Sequence, residues 1–80
     1  MKRFFIDSSV LFAAAYSAKG YARDLILAGA RGQVQLVISD IALEETRRNL
    51  ASFAPQVLPA LERILAWIAF DIVSPQPGKW

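Results

Sequence analysis

The sequence has no cysteine and no histidine among its 80 residues. That removes thiolate and imidazole metal sites, disulfides, cysteine nucleophiles and Ser-His-Asp triads together. Any catalysis has to run on carboxylates, hydroxyls, lysines or arginines. Oxygen-only side chains suit hard cations, so an enzymatic reading of this chain is one that uses magnesium or manganese. Strong charge of one sign is also missing. Nine Lys and Arg against seven Asp and Glu leave a net +2, which permits nucleic-acid binding without demanding it. The longest apolar runs, Val10 to Tyr16 and Leu65 to Phe70, fall far short of the roughly 18 residues of a membrane span. No secretory leader pattern opens the chain, so a soluble, cytoplasmic protein without a membrane partner is expected. No Gly-rich phosphate loop follows the first apolar run, which counts against a Rossmann-type nucleotide binder.

What is present is core material. The sequence is 55% hydrophobic with positive mean hydropathy, which argues for a compact fold or part of a larger one. A chain of this length is one domain at most, burying only about 60–65% of its unfolded surface. Arg3 to Asp7 is short, aromatic and apolar, as a buried parallel strand reads. Ser9 is the expected N-cap of a helix from Val10 to about Ser17, whose apolar residues fall on every face and predict burial. Lys19-Gly20 breaks it. Ala22, Leu25, Ile26 and Gly29 then mark one face of a helix from Tyr21 to Ala30, which Gly32 ends.

Val34 to Ile38 reads as a second strand, and Ser39 as the cap of a third helix with Asp40 in its first turn. Leu43, Thr46, Leu50 and Phe53 form the inward stripe of that helix. Pro55 and Pro59 frame a fourth helix, with Val57, Leu58, Leu61, Ile64 and Leu65 as its packed face. Trp67 to Val73 is the third strand candidate, its first residues being open to the preceding helix as well, with Trp67 and Phe70 in the core, and residues 74–80 form a tail that continues no element. The order β-α-α-β-α-α-β has crossovers long enough for parallel pairing. Right-handed crossovers bring the carboxyl ends of all three strands to one rim, where ligands of such sheets bind. Asp7 stands on that rim.

Each candidate has a plainer reading. Asp7-Ser8-Ser9 also makes an ordinary strand-to-helix turn with its caps. Glu44 has Arg47 and Arg48 three and four residues on, and Glu45 has Arg48 and Asn49, so helical spacing barely separates the two acids. Arg47 and Arg48 suit RNA phosphates and equally a solvated helix face. Asp71, inside a strand, is not expected to be a ligand.

Taken in order, Phe5-Ile6-Asp7-Ser8-Ser9-Val10-Leu11, a helical pair broken at Lys19-Gly20, Leu36-Val37-Ile38-Ser39 and Ala42 to Leu50 resemble the amino-terminal part of PIN domains. The nearest flavour is the ribonuclease toxin component of prokaryotic toxin–antitoxin systems. The resemblance implies a three-layer α/β/α, Rossmann-like parallel sheet, here cut to about three strands. Residues 1–73 would be a partial PIN-like domain. It implies a metal-dependent endoribonuclease in which Asp7 matches the first acid, Glu45 the glutamate of the third helix and Ser9 the small polar residue after the first acid, with Ser8 beside it. The leucine that usually follows the glutamate is Thr46 here, so a slip of one would make the second acid Glu44. PIN domains continue past the third strand with units that bring further aspartates to the metal. This sequence has no acid after Asp71. The expectation is therefore an incomplete carboxylate set with weak activity by itself, an antitoxin-like protein partner, and self-association through the first strand, which loses its neighbour. The rival expectation is a non-catalytic interaction module.

Overall fold

The computed structural model describes residues 2–17 and 19–74. Its elements follow the expected order: β1 (Lys2–Phe5), α1 (Ser8–Tyr16), α2 (Tyr21–Ala30), β2 (Val34–Ser39), α3 (Asp40–Phe53), a 3-10 turn (Pro55–Val57), α4 (Leu58–Trp67) and β3 (Asp71–Val73). The three strands form a parallel sheet in the order β1-β2-β3. Lys2 aligns with Val34 and Phe5 with Val37, while Val37 aligns with Asp71 and Ser39 with Val73. Each crossover is a pair of helices, as parallel strands require a long return connection. The chain is thus an α/β fold of the expected kind.

The central strand shows why Leu36-Val37-Ile38 is an unbroken apolar run. Leu36 and Ile38 enter the helical core, Val37 lies on the opposite face by strand alternation, and all three are buried. On the Val37 face an Arg3–Asp71 ion pair crosses β2 from one outer strand to the other. That pairing accounts for an acid at the start of β3. The core joins Leu11 and Ala14 of α1, Ile26 of α2, Leu50 of α3, and Leu61 and Ile64 of α4. Helix α1 packs against all three other helices, and buried Ala14 and Ala15 allow that approach. Gly29 lets α2 lie close on the sheet: a Cβ there would come within 2.5 Å of Leu36 Cδ1. Gly32, at φ +73°, turns the chain out of α2 in the left-handed region.

Four expectations need correction. The N-cap of α1 is Asp7, not Ser9: its carboxylate accepts from the Val10 amide, so the helix starts at Ser8. Three consecutive cap-forming residues stand there, and the strand ladder decides between them by ending at Ile6, whose amide donates to Val37 O at 2.8 Å. The third strand is only Asp71–Val73, because α4 runs on through Trp67. Trp67 is not core but 61% exposed, lying off the stripe of Leu61, Ile64 and Ile68. Phe53 is not inward either: it is the last residue of α3 and 79% exposed, while Ala54 takes the buried place beyond it. The tail beyond Ser74 lies outside the described residues.

Candidate functional site

The carboxyl ends of β1 and β2 feed directly into helices, so two caps sit side by side on the rim. Ser39 caps α3, its hydroxyl accepting from the Ala42 amide at 3.0 Å. Asp7 caps α1 in extended backbone. Asp7 Oδ1 accepts from the Ser9 hydroxyl at 2.7 Å and from the Val10 amide at 3.0 Å. The Ser9 hydroxyl first, and then the Val10 amide, hold the Asp7 carboxyl below the ordinary aspartate value, so it is ionised at neutral pH.

Helix α3 packs along α1 and presents the second acid. The Ser8 hydroxyl donates to Glu45 Oε1 at 2.7 Å, a contact across 37 residues of sequence. Glu44 faces elsewhere, accepting from Arg48 at 3.3 Å in an exposed pair. Glu45 is therefore the acid at the α1 junction. Thr46 beside it is fully buried, its hydroxyl bonded to Ala42 O at 2.9 Å and close to Ser8 O at 3.4 Å. A buried hydroxyl is tolerated there because the helix backbone satisfies it.

The rim thus brings Asp7, Ser8, Ser9 and Glu45 together. It does not bring Arg47. That residue lies about 160° around α3 from Glu45 and makes two 3.2 Å bonds to Glu62 of α4. Arg48 lies only about 60° from Glu45 on the helix, with its guanidinium turned to Glu44. Three further residues belong to the neighbourhood and were not singled out in the sequence as functional: Phe12, Asn49 and Phe53. With Ser8, Ser9 and Glu45 they line an open cavity of about 350 Å³ between α1 and α3. Glu45, Asn49 and Phe53 recur every four residues, a spacing visible in the sequence once α3 is known to face α1 at Glu45.

No family model, curated protein or solved structure matches this chain. The residues themselves therefore carry the chemistry. All donors at the rim are oxygens, which suits a hard divalent cation. The internal hydrogen bonds engage one oxygen of each carboxylate, Asp7 Oδ1 and Glu45 Oε1. Among the described residues no group of three or more acidic or other metal-ligating side chains comes together. A cation here would rest on two carboxylates, two hydroxyls and water, a set that fits magnesium or manganese in kind and is small in number.

Proposed function

We propose that this chain is a PIN-type, metal-dependent endoribonuclease domain with a reduced carboxylate set, of the kind that serves as the toxin of a cytoplasmic toxin–antitoxin pair. The observation that carries it is that the two acids picked out by the family resemblance accept hydroxyls from adjacent residues of one turn, Asp7 from Ser9 and Glu45 from Ser8. Asp7 and Glu45 would hold Mg²⁺ or Mn²⁺, with Ser8 and Ser9 orienting the carboxylates. When bound, the metal supplies polarisation of a phosphoryl oxygen and a water of lowered pKa. The chain's own part is to fix two carboxylates on a rim and to keep that of Asp7 ionised. Ser9 does this for Asp7, and Ser8 holds Glu45 in one orientation. Two carboxylates bind magnesium weakly until substrate phosphate completes the octahedron, so ribonuclease activity of the chain alone is expected to be low. Calorimetric titration with Mn²⁺ tests the site: weak binding by the parent and none by Asp7→Ala is expected. Tight binding that survives Asp7→Ala rules the site out. Any magnesium-dependent RNA cleavage by the purified chain should vanish in Asp7→Asn.

A second reading is favoured by the sheet. Among the described residues β1 pairs only with β2, and Phe5 on it is 74% exposed. An unpaired, aromatic strand edge is a template for another strand. On this reading the chain is an interaction module, pairing with a second copy or an antitoxin-like protein while the acids are idle. Partner binding unchanged by Asp7→Asn supports it.

A further inference from the structure

Ser8, Ser9 and Glu45 also line a cavity whose other walls, Phe12, Asn49 and Phe53, have no part in the proposed metal site. Its volume of about 350 Å³ falls at the small end of the range of about 300–1,000 Å³ in which proteins hold small ligands. Its walls are of two kinds. Phe12 from α1 and Phe53 from α3 are aromatic; Ser9, Glu45 and Asn49 are polar. Phe53 is the most exposed large apolar side chain of the described residues, a placement that leaves most of the ring in water. Phe12 is half-buried and already stacked on Tyr16, with ring centroids 5.8 Å apart and planes within 9° of parallel. Asn49 is half-buried, and no hydrogen bond among the described residues engages its amide. Arg48 precedes it on the helix. Its only pairing among the described residues, with Glu44, is exposed on both sides; such pairs are weak and exchange readily for a phosphate.

We propose that this cavity receives one unstacked base of a single-stranded RNA, held against the Phe12 and Phe53 rings and hydrogen-bonded on its edge by the Asn49 amide, with Arg48 meeting the backbone phosphate. Flat aromatic walls with a convergent amide are what a base requires: every base has a π-face for stacking, and the amide supplies both a donor and an acceptor to its edge. A saturated lipid or an aliphatic side chain would leave the amide and the carboxylate unpaired. Single-stranded RNA is recognised in this way, by splayed bases stacked on aromatic rings. The proposal rests on the ribonuclease reading, since it places the base next to the acids at which a phosphodiester would be cut.

The test is fluorescence anisotropy of a labelled, mixed-sequence octaribonucleotide with the full chain in EDTA, so that binding is read without cleavage. Phe53→Ala is expected to weaken binding about 5- to 150-fold, the range for loss of one stacked base. Asn49→Ala should weaken it less and change the preference among homopolymers. Phe53 is exposed, so its truncation leaves the fold intact, and Tyr21→Ala, another exposed ring away from the cavity, should bind as the parent does. The matching ribose-phosphate oligomer without bases should bind the parent no better than it binds Phe53→Ala. Equal binding of RNA by the parent and Phe53→Ala overturns the pocket, as does absence of RNA binding by the parent. The two readings separate cleanly. Asp7-dependent cleavage that ignores Phe53 and Asn49 defeats the pocket alone, whereas Phe53-dependent RNA binding without any metal-dependent cleavage defeats the ribonuclease alone.

Discussion

Asp7 ends one element, starts the next and keeps its charge while doing so. Its carboxylate is the N-cap of α1 and the acceptor of the Ser9 hydroxyl, which is why its pKa is lowered from 3.8. A carboxylate with a depressed folded pKa adds stability that is complete above its unfolded value, about 3.9, and is lost as pH falls through the lower folded one. Weakening of the start of α1 by acid is therefore confined to pH below about 4. In an NMR titration the Asp7 carboxyl should show a midpoint below 3.8, and Ser9→Ala should move it upward, since the largest cause of the depression is gone. An unchanged midpoint in that variant would mean that the hydroxyl bond is not populated in solution. The Ser9 hydroxyl and the Val10 amide share Oδ1 and leave the second oxygen of Asp7 outside these bonds.

At the scale of elements, close approach of α2 to β2 depends on Gly29. A Cβ there meets Leu36 Cδ1 at 2.5 Å and Cγ at 2.9 Å, and Leu36 is buried with nowhere to retreat. Gly29→Val should destabilise the fold by about 1–3 kcal/mol through overpacking, measured by urea unfolding; an equally stable variant would show that the helix lifts off the sheet at no cost. The bounds of α2 were legible in the sequence because Gly20 and Gly32 bracket a clean apolar face. The start of α3 was legible because Ser39 follows directly on the apolar run and Asp40 suits the first turn. The start of α1 was not, since Asp7, Ser8 and Ser9 are all good caps and only the end of the β1 ladder chooses among them. The candidate acids were legible as types, and the resemblance picked Glu45, but helical spacing did not separate its surroundings from those of Glu44. That separation is made by Ser8, 37 residues away, and such a contact leaves no local trace. Phe53 misled for the opposite reason: its spacing is correct for the inward stripe, but the stripe outruns the neighbours that would cover it.

For the whole molecule, a small core and exposed aromatics set the balance. Chains of this size bury a limited share of their surface and have little stability to spare. Phe5 on the outer strand is thus the residue through which association should be most readily tuned. Phe5→Lys should shift the chain toward monomer in sedimentation at micromolar concentration, because a charge on an open edge opposes strand addition; a parent that is already monomeric with every β1 amide protected would remove the edge as an interface. Among the described residues no helix is long and apolar enough to cross a membrane. The ion pair laid across the sheet has a different consequence. It ties Arg3 to Asp71, residues 68 apart in sequence, and β3 is otherwise only three residues long. Both partners are about half exposed, at 55% and 44%, so salt screens their attraction. The third strand therefore behaves as a latch whose opening free energy falls with ionic strength and stays below that of global unfolding. Amide hydrogen exchange at Ile72 and Val73 should accelerate in high salt while exchange at Leu36 to Ile38 does not, and a uniform response would show that the sheet opens only as a whole.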